Sequence, residues 1–250
     1  MKLNKKKVFT LALAVCLIAI LSMGSLAWFT DEDFVTNDFM IAGSDDDKAD
    51  EVFSVEVWEE NDPEDDGLEF VDLLPGDVLE KVAHVQNTGY YDQYVRVTIT
   101  VSDAAAWQDV HGGDVEVTEL LNGIDTTKLY GMESKVENGN LIYVLYYEDI
   151  LVGNQGSDFV VFNSVNIPET MTREQAAAFN EDGTHSFTID VKAEAVQTKN
   201  VGENVFEAFE AVGMTPSVDT VYVSDFAEMQ AALEKHDNIT VVLVDDIVVG

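Results

Sequence analysis

Two stretches of the chain alternate with a period of two residues. In residues 94–101, Val95, Val97, Ile99 and Val101 take one set of positions, and Arg96, Thr98 and Thr100 take the other. In residues 186–196, Phe187, Ile189, Val191, Ala193 and Ala195 alternate with Thr188, Asp190, Lys192 and Glu194. Successive side chains of a strand point to opposite faces, so these runs describe strands with one apolar and one wet face. Antiparallel sheets have that character. Phe53, Val55 and Val57 repeat the pattern against Ser54, Glu56 and Trp58, and residues 78–85, 115–121 and 159–165 are further predicted strands. Residues 141–147 are apolar at both sets of positions, which predicts a central strand covered on both sides. Pro75-Gly76-Asp77, Asn87-Thr88-Gly89 and Glu181-Asp182-Gly183 read as turns. Residues 172–179 are predicted as a short helix capped by Thr172. Many short strands with few short helices predict a mainly β chain, an antiparallel β-sandwich.

The C-terminal part has a different rhythm. Residues 218–223 read as a strand. Ser224 then caps a helix to Glu234, with Phe226, Met229, Ala232 and Leu233 on its apolar face, and residues 239–244 read as a second strand. One β-α-β unit cannot bury its own faces. The expected organisation is therefore a sandwich over 28–200, a linker over 201–215, and a partial β-α-β module over 216–250 that is cut short or docks on the sandwich.

The N-terminus reads as a secretion signal. Lys2, Lys5, Lys6 and Lys7 precede an apolar run from Val8 to Met23, and Ser25-Leu26-Ala27 supplies a small-x-small cleavage site. Cleavage between Ala27 and Trp28 by a signal peptidase is expected, which makes the protein extracellular. An uncleaved signal is the alternative and the expected route to a membrane. Cys16, the only cysteine, lies inside this signal, so the chain beyond it holds no disulfide and no thiolate ligand or nucleophile. All 48 acidic residues follow residue 27, against 9 of the 13 basic ones, a formal charge of −39 beyond the signal. Such a surface excludes nucleic acid as a partner. It serves solubility, or alternatively the binding of cations or basic polymers.

Motifs for chemistry are sparse. His84, His111, His185 and His236 include no His-Glu-x-x-His pair, and the chain has no Gly-x-Ser-x-Gly elbow, phosphate loop or dinucleotide fingerprint. Asp62, Glu64, Asp66 and Gly67 resemble the start of an EF-hand loop, but Leu73 stands where the bidentate Glu belongs. A solvated acidic loop is the expected reading. Weak Ca2+ binding by Asp62, Glu64, Asp65 and Asp66, or by Asp45, Asp46 and Asp47, is the alternative; no other cofactor is implied. Tyr90, Tyr91 and Tyr94, with Tyr143, Tyr146 and Tyr147, fit either sheet packing or a carbohydrate-binding surface.

Several segments in order resemble the TasA/camelysin family of exported Gram-positive proteins. They are Ser25-Leu26-Ala27-Trp28-Phe29-Thr30-Asp31, Asn37-Asp38-Phe39-Met40-Ile41-Ala42-Gly43, Leu74-Pro75-Gly76-Asp77, Val85-Gln86-Asn87-Thr88-Gly89 and Ala193-Glu194-Ala195-Val196-Gln197. The resemblance implies a jelly-roll-like sandwich, a cell-surface or biofilm-matrix location, and processing by a dedicated signal peptidase. It also implies self-association into fibres, or association with other surface proteins, in which the mature N-terminal strand completes a neighbouring sheet. Trp28, Phe29, Phe34, Phe39 and Ile41 are then the candidate donor-strand residues. Camelysin is described as a metalloprotease, so a secreted metallopeptidase is an alternative, although the zinc signature is absent and no catalytic residue is assigned. A cation- or carbohydrate-binding surface module is another. The C-terminal module lies outside the resemblance and looks loosely like the opening turn of a parallel β-helix.

Overall fold

The computed structural model describes residues 30–34 (as backbone), 53–62, 68, 70, 72–154, 156–179, 186–235 and 239–244. The expected signal and the expected cleavage site between Ala27 and Trp28 lie outside these. The described chain is mainly β and forms two sheets. The first has the strand order β1-β9-β4-β7-β6-β10-β11 and the second β2-β3-β8-β5. The elements are β1 (Thr30–Phe34), β2 (Val55–Glu59), β3 (Val78–Asn87), β4 (Gln93–Val101), α1 (Ala104–His111), α2 (Val117–Leu120) and β5 (Leu121–Asn122). They continue with β6 (Leu129–Glu137), β7 (Asn140–Tyr147), β8 (Asp158–Asn166), α3 (Arg173–Ala176), β9 (Ile189–Gln197), α4 (Val205–Ala211), β10 (Thr220–Val223), α5 (Phe226–Lys235) and β11 (Thr240–Leu243). The two sheets form a β-sandwich.

The period-two positions become the two faces. Val95, Val97, Ile99 and Val101 of β4 join Val191, Ala193 and Ala195 of β9 and Leu141, Tyr143, Leu145 and Tyr147 of β7 in one core. Val55, Val57, Ala83, Val85, Val161, Phe162 and Val165 of the second sheet close over them. Helix α1, at the end where β4 stops, was not marked by any periodic run. Its Trp107 is wholly buried, edge-on to Phe179 and Phe187 at 4.8 and 4.9 Å between ring centroids. Residues 115–121, predicted as a strand, instead form α2 and the two-residue β5. Val117, Leu120 and Leu121 have helical spacing, and all three are buried in the core. A strand there would place Glu119 on the same face as Val117 and Leu121. Helix α3 begins at the predicted cap: Thr172 Oγ1 accepts from Gln175 N at 3.2 Å, and Gln175 Oε1 accepts from Thr172 N at 2.9 Å.

The outer face of the first sheet is covered as well. Residues 201–215, expected as a linker, contain α4, capped by Asn204 Oδ1 accepting from Glu207 N at 3.0 Å. Val205, Phe206, Ala208 and Phe209 pack on Tyr94, Val144, Tyr146 and Val196. Phe206 meets Tyr130 and Tyr146 edge-on at 4.6 and 4.8 Å. Arg96 lies over the Phe209 ring at 4.7 Å while its Nε donates to Glu194 Oε2 at 2.8 Å. Burial opposes the Arg96 charge, but the Glu194 hydrogen bond and charge outweigh it and raise the pKa above the ordinary guanidinium value.

The C-terminal module docks by continuing this sheet. Strand β10 pairs antiparallel with β6, Thr220 opposite Met132 and Val221 opposite Gly131. A Cβ on Gly131 would lie 2.8 Å from the Phe206 ring and 3.1 Å from the Thr220 carbonyl oxygen, so only glycine lets these three elements meet. Strand β11 then pairs parallel with β10. Helix α5 buries Ala232 and half-buries Met229, whereas Phe226 and Leu233, expected on the packed face, are exposed. Its cap is Asp225, which accepts from Glu228 N at 2.8 Å; Ser224 N and Oγ both donate to Glu228 Oε2. Glu148 and Glu228 line a cavity of about 140 Å³ between this module and the sandwich. Burial, then the charges of Glu228 and Asp149, push the Glu148 carboxyl above the usual carboxylate range. A carboxyl with a raised folded-state pKa opposes folding when ionised, and that cost vanishes below its unfolded-state pKa. Glu148→Gln is therefore expected to raise stability at neutral pH and to leave it unchanged at pH about 3, below the usual Glu value, as read by thermal melts at both pH values.

The Lys81–Glu59 ion pair is buried. Lys81 Nζ on β3 donates to Glu59 Oε1 on β2, and Glu59 Oε2 has no hydrogen-bond partner. Breaking such a pair leaves a buried charge, whereas replacing both partners by apolar residues is often nearly neutral. Lys81→Met should cost about 3–5 kcal/mol, and adding Glu59→Leu should recover most of it, measured by denaturant unfolding.

Candidate functional site: the terminal edge strand and its pole

Strand β1 is the end strand of the larger sheet, and β9 is its ladder partner. The register runs antiparallel from Thr30 opposite Val196 to Phe34 opposite Lys192, with Glu32 opposite Glu194. The Glu194 carboxylate is already committed. Arg96 Nε lies 2.8 Å from one oxygen and Lys192 Nζ 3.3 Å from the other. Asp31 and Asp33 stand opposite Ala195 and Ala193. No basic residue is therefore opposite the three acids of this strand. Main-chain pairing along β9 attaches this strand, and charged residues on an edge discourage further pairing. Of the candidate donor residues, Phe34 falls at the last register position. Trp28, Phe29, Phe39 and Ile41 lie outside the described residues, as does Ala27.

At the pole where Thr30 meets Val196, a polar network organises two loops. Asn87 is fully buried at the end of β3. Its Oδ1 accepts from Gly89 N at 2.9 Å and from Gln93 Nε2 at 3.0 Å; its Nδ2 donates to Tyr91 O at 2.8 Å and Leu151 O at 2.9 Å. Gln93 Nε2 also donates to Ser54 O, which ties the first strand of the second sheet to the same point. Gly153 N donates to Asp92 Oδ1 at 2.8 Å, and a Cβ on Gly153 would sit 2.2 Å from Tyr90 O. The Asn87-Thr88-Gly89 turn is thus an Asx turn whose side chain also fastens the 149–154 loop. The Leu74-Pro75-Gly76-Asp77 turn works by similar means. Asp77 N donates to Leu74 O, Asp77 Oδ2 accepts from Leu74 N at 2.7 Å, and Gly76 takes φ +92°. Asn87→Ala removes a buried group that satisfies four partners at once. A loss of about 2–4 kcal/mol is expected, with Gln93→Ala in the Asn87→Ala background costing less than Gln93→Ala alone, in a double-mutant cycle.

The other candidates separate. Asp62 is half-buried beside the end of β2, while Glu64, Asp65, Asp66 and Asp45–Asp47 lie outside the described residues. Among the described residues, no three His, Cys, Asp or Glu side chains converge as a metal-ligand set. His84 stacks on Trp58 at 3.9 Å, and its two ring nitrogens face different carboxylates, Glu60 at 3.1 Å and Asp158 at 3.3 Å. His111 closes α1, its Nδ1 3.0 Å from Trp107 O. Tyr94, Tyr143, Tyr146 and Tyr147 are buried, and burial raises the pKa of all four phenols. Tyr143 donates to Val115 O at 2.7 Å. Tyr90 and Tyr91 are exposed, so the tyrosines divide into core packing and a surface pair. The roles of Gln93, Asp92 and Gly153 had no sequence signal, since a lone glutamine, aspartate and glycine carry no periodicity.

Fold and site together define an antiparallel β-sandwich with an acidic N-terminal strand laid on one sheet edge. No known protein family, curated protein or solved structure matches the chain.

Proposed function

We propose that the protein is an exported structural component of a cell surface or biofilm matrix that assembles by donation of its N-terminal strand. The observation that carries this reading is the position of Thr30–Phe34: terminal in the sheet, hydrogen-bonded along β9, and close behind the expected cleavage site. An edge strand held by main-chain pairing is exchangeable between subunits, because any copy offers the same ladder. The resemblance of the cleavage region and the turns to the TasA/camelysin family supports the same reading. The metallopeptidase alternative gains no convergent ligand set from the described residues.

Electron microscopy of the chain from Trp28 and of one starting at Gly43 tests the proposal. Fibres from the first and dispersed particles from the second are expected. Dispersed monomers in both preparations would remove it.

A further inference from the structure

The joint between the C-terminal module and the sandwich holds a cavity of about 140 Å³. Its place follows from the pairing of the strands. Strand β10 runs antiparallel to β6, Thr220 opposite Met132 and Val221 opposite Gly131, so Val223 advances toward the start of β6 at Leu129. Glu148 arrives beside that start, because its N donates to Lys128 O at 2.8 Å. Helix α5 follows β10 directly and brings Glu228, Ala231 and Ala232 to the same cavity.

The lining has two chemical characters. Leu129, Val221, Val223 and Ala232 are buried and form apolar walls, with the half-buried Tyr130 beside them. Glu148 from the sandwich and Glu228 from the module supply two carboxylates, and both side chains reach solvent. The two acids act on the same space. Behind burial and the charge of Glu207, their charges raise the pKa of the Tyr130 phenol. Among the described residues that line the cavity, none is lysine, arginine or histidine. Like charges thus meet across a joint without a counter-charge in the lining, a repulsion that a bound cation relieves.

The walls say which cation. A calcium ion takes six or more oxygen ligands. The lining offers two carboxylates, and Glu228 Oε2 already accepts from Ser224 N and Ser224 Oγ. Apolar walls, an aromatic ring and two acids suit an ammonium group on an aliphatic stem, which buries the stem and keeps the charge at the polar mouth. A cavity of roughly 150 Å³ admits a molecule of benzene's size, so a short stem fits where a drug-sized ligand, needing about 300 Å³ or more, does not.

We propose that this cavity binds a primary alkylammonium group, the end of a lysine side chain or a free amine, with its stem against Leu129, Val221 and Val223 and its charge between Glu148 and Glu228. The two acids come from opposite sides of the joint, so the ligand fastens the module to the sandwich. The site is independent of strand donation.

NMR titration of the chain from Trp28 with n-butylammonium, at constant ionic strength, tests the inference. Saturable shifts at the amides of Val221, Val223 and Ala232 are expected. Binding should be at least tenfold weaker for n-butanol, which lacks the charge, and for methylammonium, which lacks the stem. Glu148→Gln should weaken n-butylammonium binding at least tenfold although it stabilises the fold. Ala231→Leu, at an exposed position of α5 that lines the cavity, should abolish saturable binding. Unchanged amide shifts in β4 and β7 verify that each variant is folded. Nα-acetyl-lysine methylamide separates the two sources: binding as tight as n-butylammonium assigns a lysine side chain, and no binding assigns a free amine. Absence of a saturable shift with n-butylammonium, equal binding of n-butanol, or binding that survives both Glu148→Gln and Ala231→Leu would each overturn the proposal. Displacement of n-butylammonium by a hundredfold lower concentration of calcium chloride would overturn it too, in favour of a metal.

Discussion

Main-chain pairing of β4 runs from Gln93 to Val101 along β9 and from Arg96 to Val101 along β7. Both faces of this ladder are occupied. Inside, its valines, alanines, leucines and tyrosines meet the second sheet; outside, α4 covers Tyr94, Tyr146 and Val196. Without disulfides, this two-sided burial is what the chain has to set against the entropy of ordering. Every other element is placed by its relation to the ladder. Strand β1 lies on one flank, β6 and the C-terminal module on the other, and α1 closes the end.

The two flanks are treated differently. On the β6 side, β10 extends the sheet, fixed by Gly131 and by Asp219, whose carboxylate accepts from Ser134 N at 2.9 Å. The C-terminal module is thereby a continuation of the sandwich sheet, and its own small cluster of Val221, Val223 and Ala232 need not support it alone. On the β9 side the covering strand is short, acidic and terminal. Among the described residues, the β9 flank thus ends in a single short strand, whereas the β6 flank carries a further module.

Much of the fold was legible in residues whose pattern comes from one dominant interaction. The alternation of β4 and β9, the all-apolar β7 and the Thr172 cap each follow from local periodicity or a local hydrogen bond, and each stands where it was predicted. Residues 115–121 misled because four apolar residues in seven satisfy both periods, and burial of Leu120 and Leu121 together decided for the helix. Residues 201–215 were misread because a short amphipathic helix between polar turns resembles a linker until a matching apolar face exists for Phe206 and Phe209. The site was less legible still. Asn87 was marked as a turn, but its second role, holding the 149–154 loop, joins residues 64 positions apart.

Local sequence by itself determined the strands, their faces, the turns that need glycine or aspartate, and the acidic and cysteine-free character of the chain beyond residue 27. Those properties depend on neighbours within a few residues, where backbone geometry and side-chain chemistry act directly. Tertiary structure alone decided the strand order, the docking of α4 and β10, and the pairing of Thr30–Phe34 along β9. These depend on contacts between segments far apart in the chain, selected by which faces can bury one another, and no local pattern encodes that choice.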